Sequence, residues 1–397
     1  MSTVGDFGFA VTPQLHFGAG KISTLPAAIR PFGKKILLIT GARSLLTSSY
    51  GDSIIQQFRE MGINAKQYQV DKEPSPSMID EAVKNFSAFS PECVTAIGGG
   101  SVLDAGKAIS AMLPLNSPVK DYLEGVGTKA HPGIKIPFIA IPTTSGTGSE
   151  ATKNAVISET GESGYKRSLR HNNFVPNLAI VDPLLTVSCP PSTTAASGMD
   201  AFTQLLESYV STAANPITDA LAYEGLARIA GCLKPAYDDG MNLEARTGMA
   251  LAAYLSGITL ANAGLGLVHG FASPLGGYFE IPHGIICSAL MASVNEVTVR
   301  KLRLTRTNPE ALIKYATVGK LFAGSDYRSQ DYYIDFLLHV IQNLTEELHI
   351  PMLSKFGVMP SHYEKIIRAT DNKNHPIPLG HDEMAEVLES GVGSVKV

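Results

Sequence analysis

The chain has 397 residues, 44% apolar and 17% charged, with a formal net charge of −4. That length exceeds one ordinary hydrophobic core and points to two domains. The composition excludes a disordered or fibrous protein, and the weak negative charge gives no electrostatic reason to expect a nucleic acid or an anionic membrane as partner.

The opening residues, MSTVGDFGFAVTPQLHFG, carry neither the basic nor the apolar region of a secretory leader. No apolar run reaches the ~18–20 residues that span a bilayer, so a cytoplasmic location is expected. KKILLITG (Lys34–Gly41) is a short apolar run ending in glycine and reads as a buried parallel strand. An amphipathic helix follows in IIQQFREMG (Ile54–Gly62), with Gly62 placed to stop it. NAKQYQV is a second strand and SMIDEAVKNFSAF a second helix. ECVTAIGGG (Glu92–Gly100) is a third strand running into a glycine turn, and VLDAGKAISAML a third helix. KIPFIAIPTT (Lys135–Thr144) and LAIVDP (Leu178–Pro183) complete the strands. Strands separated by helices indicate βαβ units and a parallel, twisted sheet.

After Pro183 the pattern changes. SCPPSTT (Ser188–Thr194) reads as a linker, and long alanine- and leucine-rich helical runs replace the strands. The expected architecture is an α/β dinucleotide-binding domain over 1–187, followed by an all-α domain over 188–397. Cys93, Cys189, Cys232 and Cys287 form no CxxC pair, which argues against a zinc ribbon or a disulfide framework. Cys189 and Cys287 lie among apolar or small residues and read as buried, inert thiols.

Two loops carry the signal for an anionic ligand. In TAIGGGSVLDAGKAI, Gly98, Gly99 and Gly100 let the backbone approach a ligand closely, and Ser101 is placed to cap the helix. A helix N-terminus there suits a pyrophosphate. GGGS is not the GxGxxG fingerprint, so an ordinary strand-to-helix turn is the competing reading. In IPTTSGTGSEAT, Thr143, Thr144, Thr147 and Ser149 offer hydroxyls after the next strand, where loops of a doubly wound sheet line the ligand crevice. A polar surface loop is the alternative.

The helical half holds a second constellation. Asp200 and Gln204 are four apart on one helix and share a face. His269 lies near a helix end and His283 at the start of another. One carboxylate and two imidazoles from separate helices suit a divalent cation such as Fe²⁺ or Zn²⁺. Taken singly, each histidine is as easily a hydrogen-bonded core group, and Asp200 a charge near a helix N-terminus.

AIGGGSVLDAGKAI, PFIAIPTTSGTGSEAT, NLAIVDP, SGMDAFTQLLESYVS and VHGFASPLGGYFEIPHG, in this order, resemble the motifs of iron-containing (group III) alcohol dehydrogenases. FGAG (Phe17–Gly20) and NKNHPIPLGHDEMAEVLESG resemble that family's ends. The resemblance implies a fold like that of dehydroquinate synthase, NAD or NADP as cofactor, and reversible hydride transfer between the nicotinamide and a small alcohol or carbonyl. It implies that Gly98, Gly99, Gly100 and Ser101 hold the pyrophosphate. Asp104 and Lys107 stand at the Asp and Lys of GGGSxxDxxK, and Thr143, Thr144, Thr147 and Ser149 line the nucleotide and substrate cleft. It implies catalysis at Asp200, His269 and His283, and a homodimer or larger homo-oligomer.

Three departures from the family pattern follow. Gln204 stands where the family has a metal-binding histidine, so weaker metal binding is expected, with Gln204 or water as fourth ligand. Ser273 replaces a histidine to which a proton-relay role is assigned. Gly41 ends the first strand where NAD-using relatives place an aspartate. Losing that carboxylate removes repulsion of a 2′-phosphate, and Arg43 is placed to pair with one, so NADP is expected to be accepted. The rivals are a metal-independent reductase, a catalytically degenerate nucleotide binder, and a lyase of the dehydroquinate synthase type.

Overall fold

A computed structural model describes residues 5–41, 49–115 and 117–393. One unit comprises 10–159 and 166–189. Of the described residues, the other takes those from Pro190 onward, those up to Phe9 and the stretch 160–165, which the linear reading placed with the sheet.

The first unit is built on β1 (Gln14–Phe17), β2 (Lys35–Gly41), β3 (Asn64–Val70), β4 (Cys93–Gly98), β5 (Phe138–Pro142) and β8 (Leu178–Val181). Their order is β1-β8-β5-β4-β2-β3, and every pairing is parallel. β4, CVTAIG, is buried at every position, as a central strand covered on both faces must be. β3, NAKQYQV, is mostly exposed, as suits a sheet edge. Helices α1 (Leu25–Ile29), α2 (Ser49–Glu60), α3 (Pro76–Phe86) and α4 (Gly100–Met112) connect the strands. β6 (Asn154–Glu159) and β7 (Tyr165–Arg170) form a separate two-stranded sheet. Neither this pair nor β1 was expected from the sequence.

Two of the recognised motifs meet at Asp182, which is almost fully buried. Its carboxylate accepts hydrogen bonds from the N–H groups of Gly20, Ile22 and Leu184 at 3.1, 2.9 and 3.0 Å. NLAIVDP thereby anchors the FGAG turn that follows β1.

The second unit is helical: α5 (Pro191–Val210), α6 (Pro216–Asp238), α7 (Leu243–Ala263), α8 (Leu267–Tyr278), α9 (His283–Thr305), α10 (Pro309–Ala323), α11 (Gln330–Glu347), α12 (Tyr363–Ala369) and α13 (His381–Val392). α5, α6 and α10 place a proline in their first turn, where its missing N–H costs nothing. α5 is buried along most of its length, and Phe202, Leu205, Leu206, Phe271, Ile286 and Leu290 share its core. Among the described residues no single helix is long and apolar enough to cross a membrane.

Candidate functional site

In the sheet-bearing unit, the glycine turn at the end of β4 leads directly into α4. None of its three glycines adopts a positive φ, and Gly99 sits at φ −73°. What they supply is close approach. A Cβ on Gly100 would stand 2.7 Å from the Thr147 methyl, and one on Gly98 2.6 Å from Val102. The expected cap at Ser101 is corrected: Gly99 is the N-cap, Ser101 lies inside the first turn, and no side chain caps the helix. A first turn without a side-chain cap keeps backbone N–H groups available to an anion.

The second loop packs against this turn. The Thr143 N–H donates to the Gly98 carbonyl at 2.9 Å, Thr144 lies beside Gly99, and Gly148 takes φ +60° to turn the chain. Ser149 donates from its hydroxyl to Asp104 Oδ1 at 2.5 Å. Lys107, almost fully buried, reaches the Ser149 and Asn154 carbonyls at 2.7 and 2.8 Å and the Thr152 hydroxyl at 2.8 Å. Asp104 and Lys107 therefore tie the two loops together. Burial lowers Lys107 to about 8, against the pull of Asp104 and Glu150, and raises the buried Glu150 to about 7. Gly41 ends β2, paired with Val70 of the edge strand. Arg43 lies outside the described residues.

In the helical unit, Asp200 projects from α5, His269 from the first turn of α8, and His283 is the first residue of α9. Asp200 Oδ1 lies 3.4 Å from His269 Nε2 and 3.8 Å from His283 Nε2. A fourth group joins them that the sequence reading set aside as inert: Cys287 Sγ, 3.6 Å from His269 Nε2 and 3.7 Å from His283 Nε2. The four donor atoms all lie within 4.8 Å of one another. Cys287 follows His283 by four residues on α9, a spacing that marks a shared helix face and was present in the sequence.

Glu207 is the other residue missed. It follows Asp200 by seven on α5 and is buried. Its Oε2 lies 2.6 Å from His269 Nδ1, and its Oε1 accepts the Val268 N–H at 2.7 Å. A carboxylate on Nδ1 fixes the tautomer that turns Nε2 toward Asp200 and Cys287. Gly266 makes room, since a Cβ there would stand 2.9 Å from Glu207 Oε1. Burial opposes charge on Asp200, but His283 and His269 hold it down to about 2. Burial also opposes charge on His269, yet Cys287 and Glu207 raise it well above its ordinary value. Burial pushes the Cys287 thiol up to about 11.

Gln204 lies on the same face of α5, one turn after Asp200, with its amide 3.1 Å from the Ser256 hydroxyl. Ser273 is half-buried on α8, one turn past His269. Among the described residues, Asp200 Oδ1 is buried without a hydrogen-bond partner. A lone carboxylate oxygen left so, facing two imidazoles and a thiol, is a donor set suited to a divalent transition metal.

The family description "Iron-containing alcohol dehydrogenase" matches residues 12–183, and that of the family's C-terminal part matches 194–392. Alcohol dehydrogenase 4 of Schizosaccharomyces pombe is 32% identical over 381 residues, covering 95% of this chain and 87% of that protein. The NADPH-dependent butanol dehydrogenase of Clostridium saccharobutylicum is 29% identical over 395 residues, covering 96% and 97%. Among solved structures, that of a 1,3-propanediol oxidoreductase superimposes with a TM-score of 0.86 at 28% identity, covering 98% of this chain and 100% of the other. With both halves matched, and with a parallel-sheet unit and a helical unit bearing a metal-type donor cluster, the chain belongs to the iron-containing alcohol dehydrogenase family, as an oxidoreductase acting on alcohols with NAD(P).

Proposed function

We propose that the protein interconverts a small alcohol and its aldehyde or ketone by hydride exchange with a nicotinamide cofactor, assisted by a divalent cation held at Asp200, His269 and His283. The observation that carries this reading is the buried Asp200 Oδ1, without a hydrogen bond among the described residues and facing both imidazoles at 3.4 and 3.8 Å. When bound, the cation supplies Lewis-acid polarisation of the substrate oxygen and the nicotinamide supplies or accepts the hydride.

The chain's own residues do the rest. Gly98, Gly99, Gly100 and the first turn of α4 receive the pyrophosphate, with Ser101 in that turn adding a hydroxyl. Thr143, Thr144, Thr147 and Ser149 wall the loop beside it, and Asp104 and Lys107 hold that loop in register. Glu207 keeps His269 in the tautomer that presents Nε2. Ser273 occupies the relay position, and the substrate proton travels through its hydroxyl, water or the cofactor ribose.

Gly41 at the end of β2 presents no carboxylate to a 2′-phosphate, and a relative of similar length is named as NADPH-dependent. NADPH is therefore accepted alongside NADH, and the assembly is a homodimer or larger homo-oligomer. The test combines elemental analysis of purified protein with NADH and NADPH oxidation in the presence of short aldehydes. His269→Ala should lower kcat/KM at least ~10²-fold, and a wild-type value in that variant refutes the metal's role. A kcat/KM for NADH more than about tenfold above that for NADPH, ~1.4 kcal/mol, refutes the cofactor assignment.

A further inference from the structure

We propose that the Cys287 thiolate, rather than the Gln204 amide, is the fourth ligand, giving an Asp–His–His–Cys centre that selects zinc over ferrous iron. This inference rests on the metal-assisted reading above. Its first support is spacing. Donor atoms at the corners of a tetrahedron with bonds of about 2.0–2.3 Å stand roughly 3.3–3.7 Å apart. The separations here are 3.4 Å for Asp200 to His269, 3.8 Å for Asp200 to His283, 3.6 Å for Cys287 to His269 and 3.7 Å for Cys287 to His283. These match four of the six edges of such a tetrahedron, and the remaining two, Asp200 to Cys287 and His269 to His283, lie within 4.8 Å, so Cys287 Sγ is placed to fill the corner the other three leave open.

The second support is the placement of Gln204. Its amide end meets the Ser256 hydroxyl at 3.1 Å, so the side chain standing at the family's histidine position already has a partner on α7. The third is the surroundings of the sulfur: a cysteine serving only as core filler contacts carbon, whereas this one faces two imidazole nitrogens and, through them, a carboxylate. The metal preference follows from the donors, since a soft thiolate beside imidazole suits zinc, and zinc already stands above ferrous iron in affinity at mixed sites.

The test is the electronic spectrum of apoprotein reloaded with Co²⁺ under reducing, anaerobic conditions. The wild type should show the visible bands of tetrahedral cobalt together with an intense near-ultraviolet sulfur-to-cobalt charge-transfer band. Cys287→Ser should lose the charge-transfer band, and its Zn²⁺ affinity by chelator competition should fall at least ~10²-fold. Gln204→Ala should retain the band. Visible bands without a charge-transfer band in the wild type, or a charge-transfer band that survives in Cys287→Ser, overturns the ligand assignment and leaves the metal-assisted reading standing. Absence of any bound cobalt in the wild type overturns both.

Discussion

At the residue scale, the metal-type cluster depends on one orienting group. Glu207 places its carboxylate 2.6 Å from His269 Nδ1; besides Asp200 it is the one charged residue of α5, and its seven-residue offset puts it two turns on along the same face. Glu207→Gln keeps the shape and removes the charge. Metal affinity measured by chelator competition should fall about 10–100-fold, and an unchanged affinity would show that Glu207 only packs. Glu150 provides a separate test in the sheet-bearing unit. Its folded pKa of about 7 lies above the ordinary value, so its neutral form is favoured on folding. The associated stability is present at low pH and lost as pH rises from the ordinary carboxylate range through about 7. Glu150→Gln cannot ionise, so its Tm should gain on the wild type between about pH 5 and about pH 8. A constant difference across that range would show that Glu150 does not titrate as its burial requires. Asp200, His269 and His283 were legible as residues because their chemistry is uncommon in an apolar helix. Cys287 was not, because a buried cysteine is ordinarily inert and only its neighbours say otherwise.

At the scale of elements, the turn between β4 and α4 works by what it lacks. Gly100 allows Thr147 of the following loop to press against the backbone, and Ala at that position would bring a Cβ to 2.7 Å from the threonine methyl. Gly100→Ala should therefore destabilise the unit by ~1–3 kcal/mol in chemical denaturation and raise the KM for the cofactor. Pairing it with Thr147→Ala, which removes both the methyl and the hydroxyl that would stand 2.8 Å away, should recover part of the stability loss, and no recovery would place the strain elsewhere. The sequence showed the principal strands, since buried parallel strands are continuous apolar runs bounded by glycine and proline. It did not show β1, whose QLHF is four residues long and never fully buried. β1 exists because Val181 and Phe17 lie in register at the sheet edge and Asp182 collects the N–H groups just beyond it.

At the scale of the whole molecule, the donor cluster joins α5, α8 and α9, which are otherwise linked by packing of their apolar faces. A ligand that binds only the folded state stabilises it by about 2.7 kcal/mol at a hundredfold excess over its Kd. Chelation should thus lower the Tm of the wild type in calorimetry, and readdition of Zn²⁺ should restore it. His269→Ala should show little of that response. A wild-type Tm indifferent to chelator would mean that no cation joins the three helices.

By itself, the sequence determined the class of each half, the glycine- and hydroxyl-rich loops that pack together after β4 and β5, and three of the four converging side chains. It could do so because apolar periodicity and glycine-rich turns are local properties of the chain. Only the tertiary structure decided which side chain stands at the open corner of the cluster. Gln204 and Cys287 are both one helical turn from a metal-type residue, and local spacing treats them alike. Packing of α5 against α7 engages the first with Ser256, and packing of α9 beside α8 brings the second to both imidazoles.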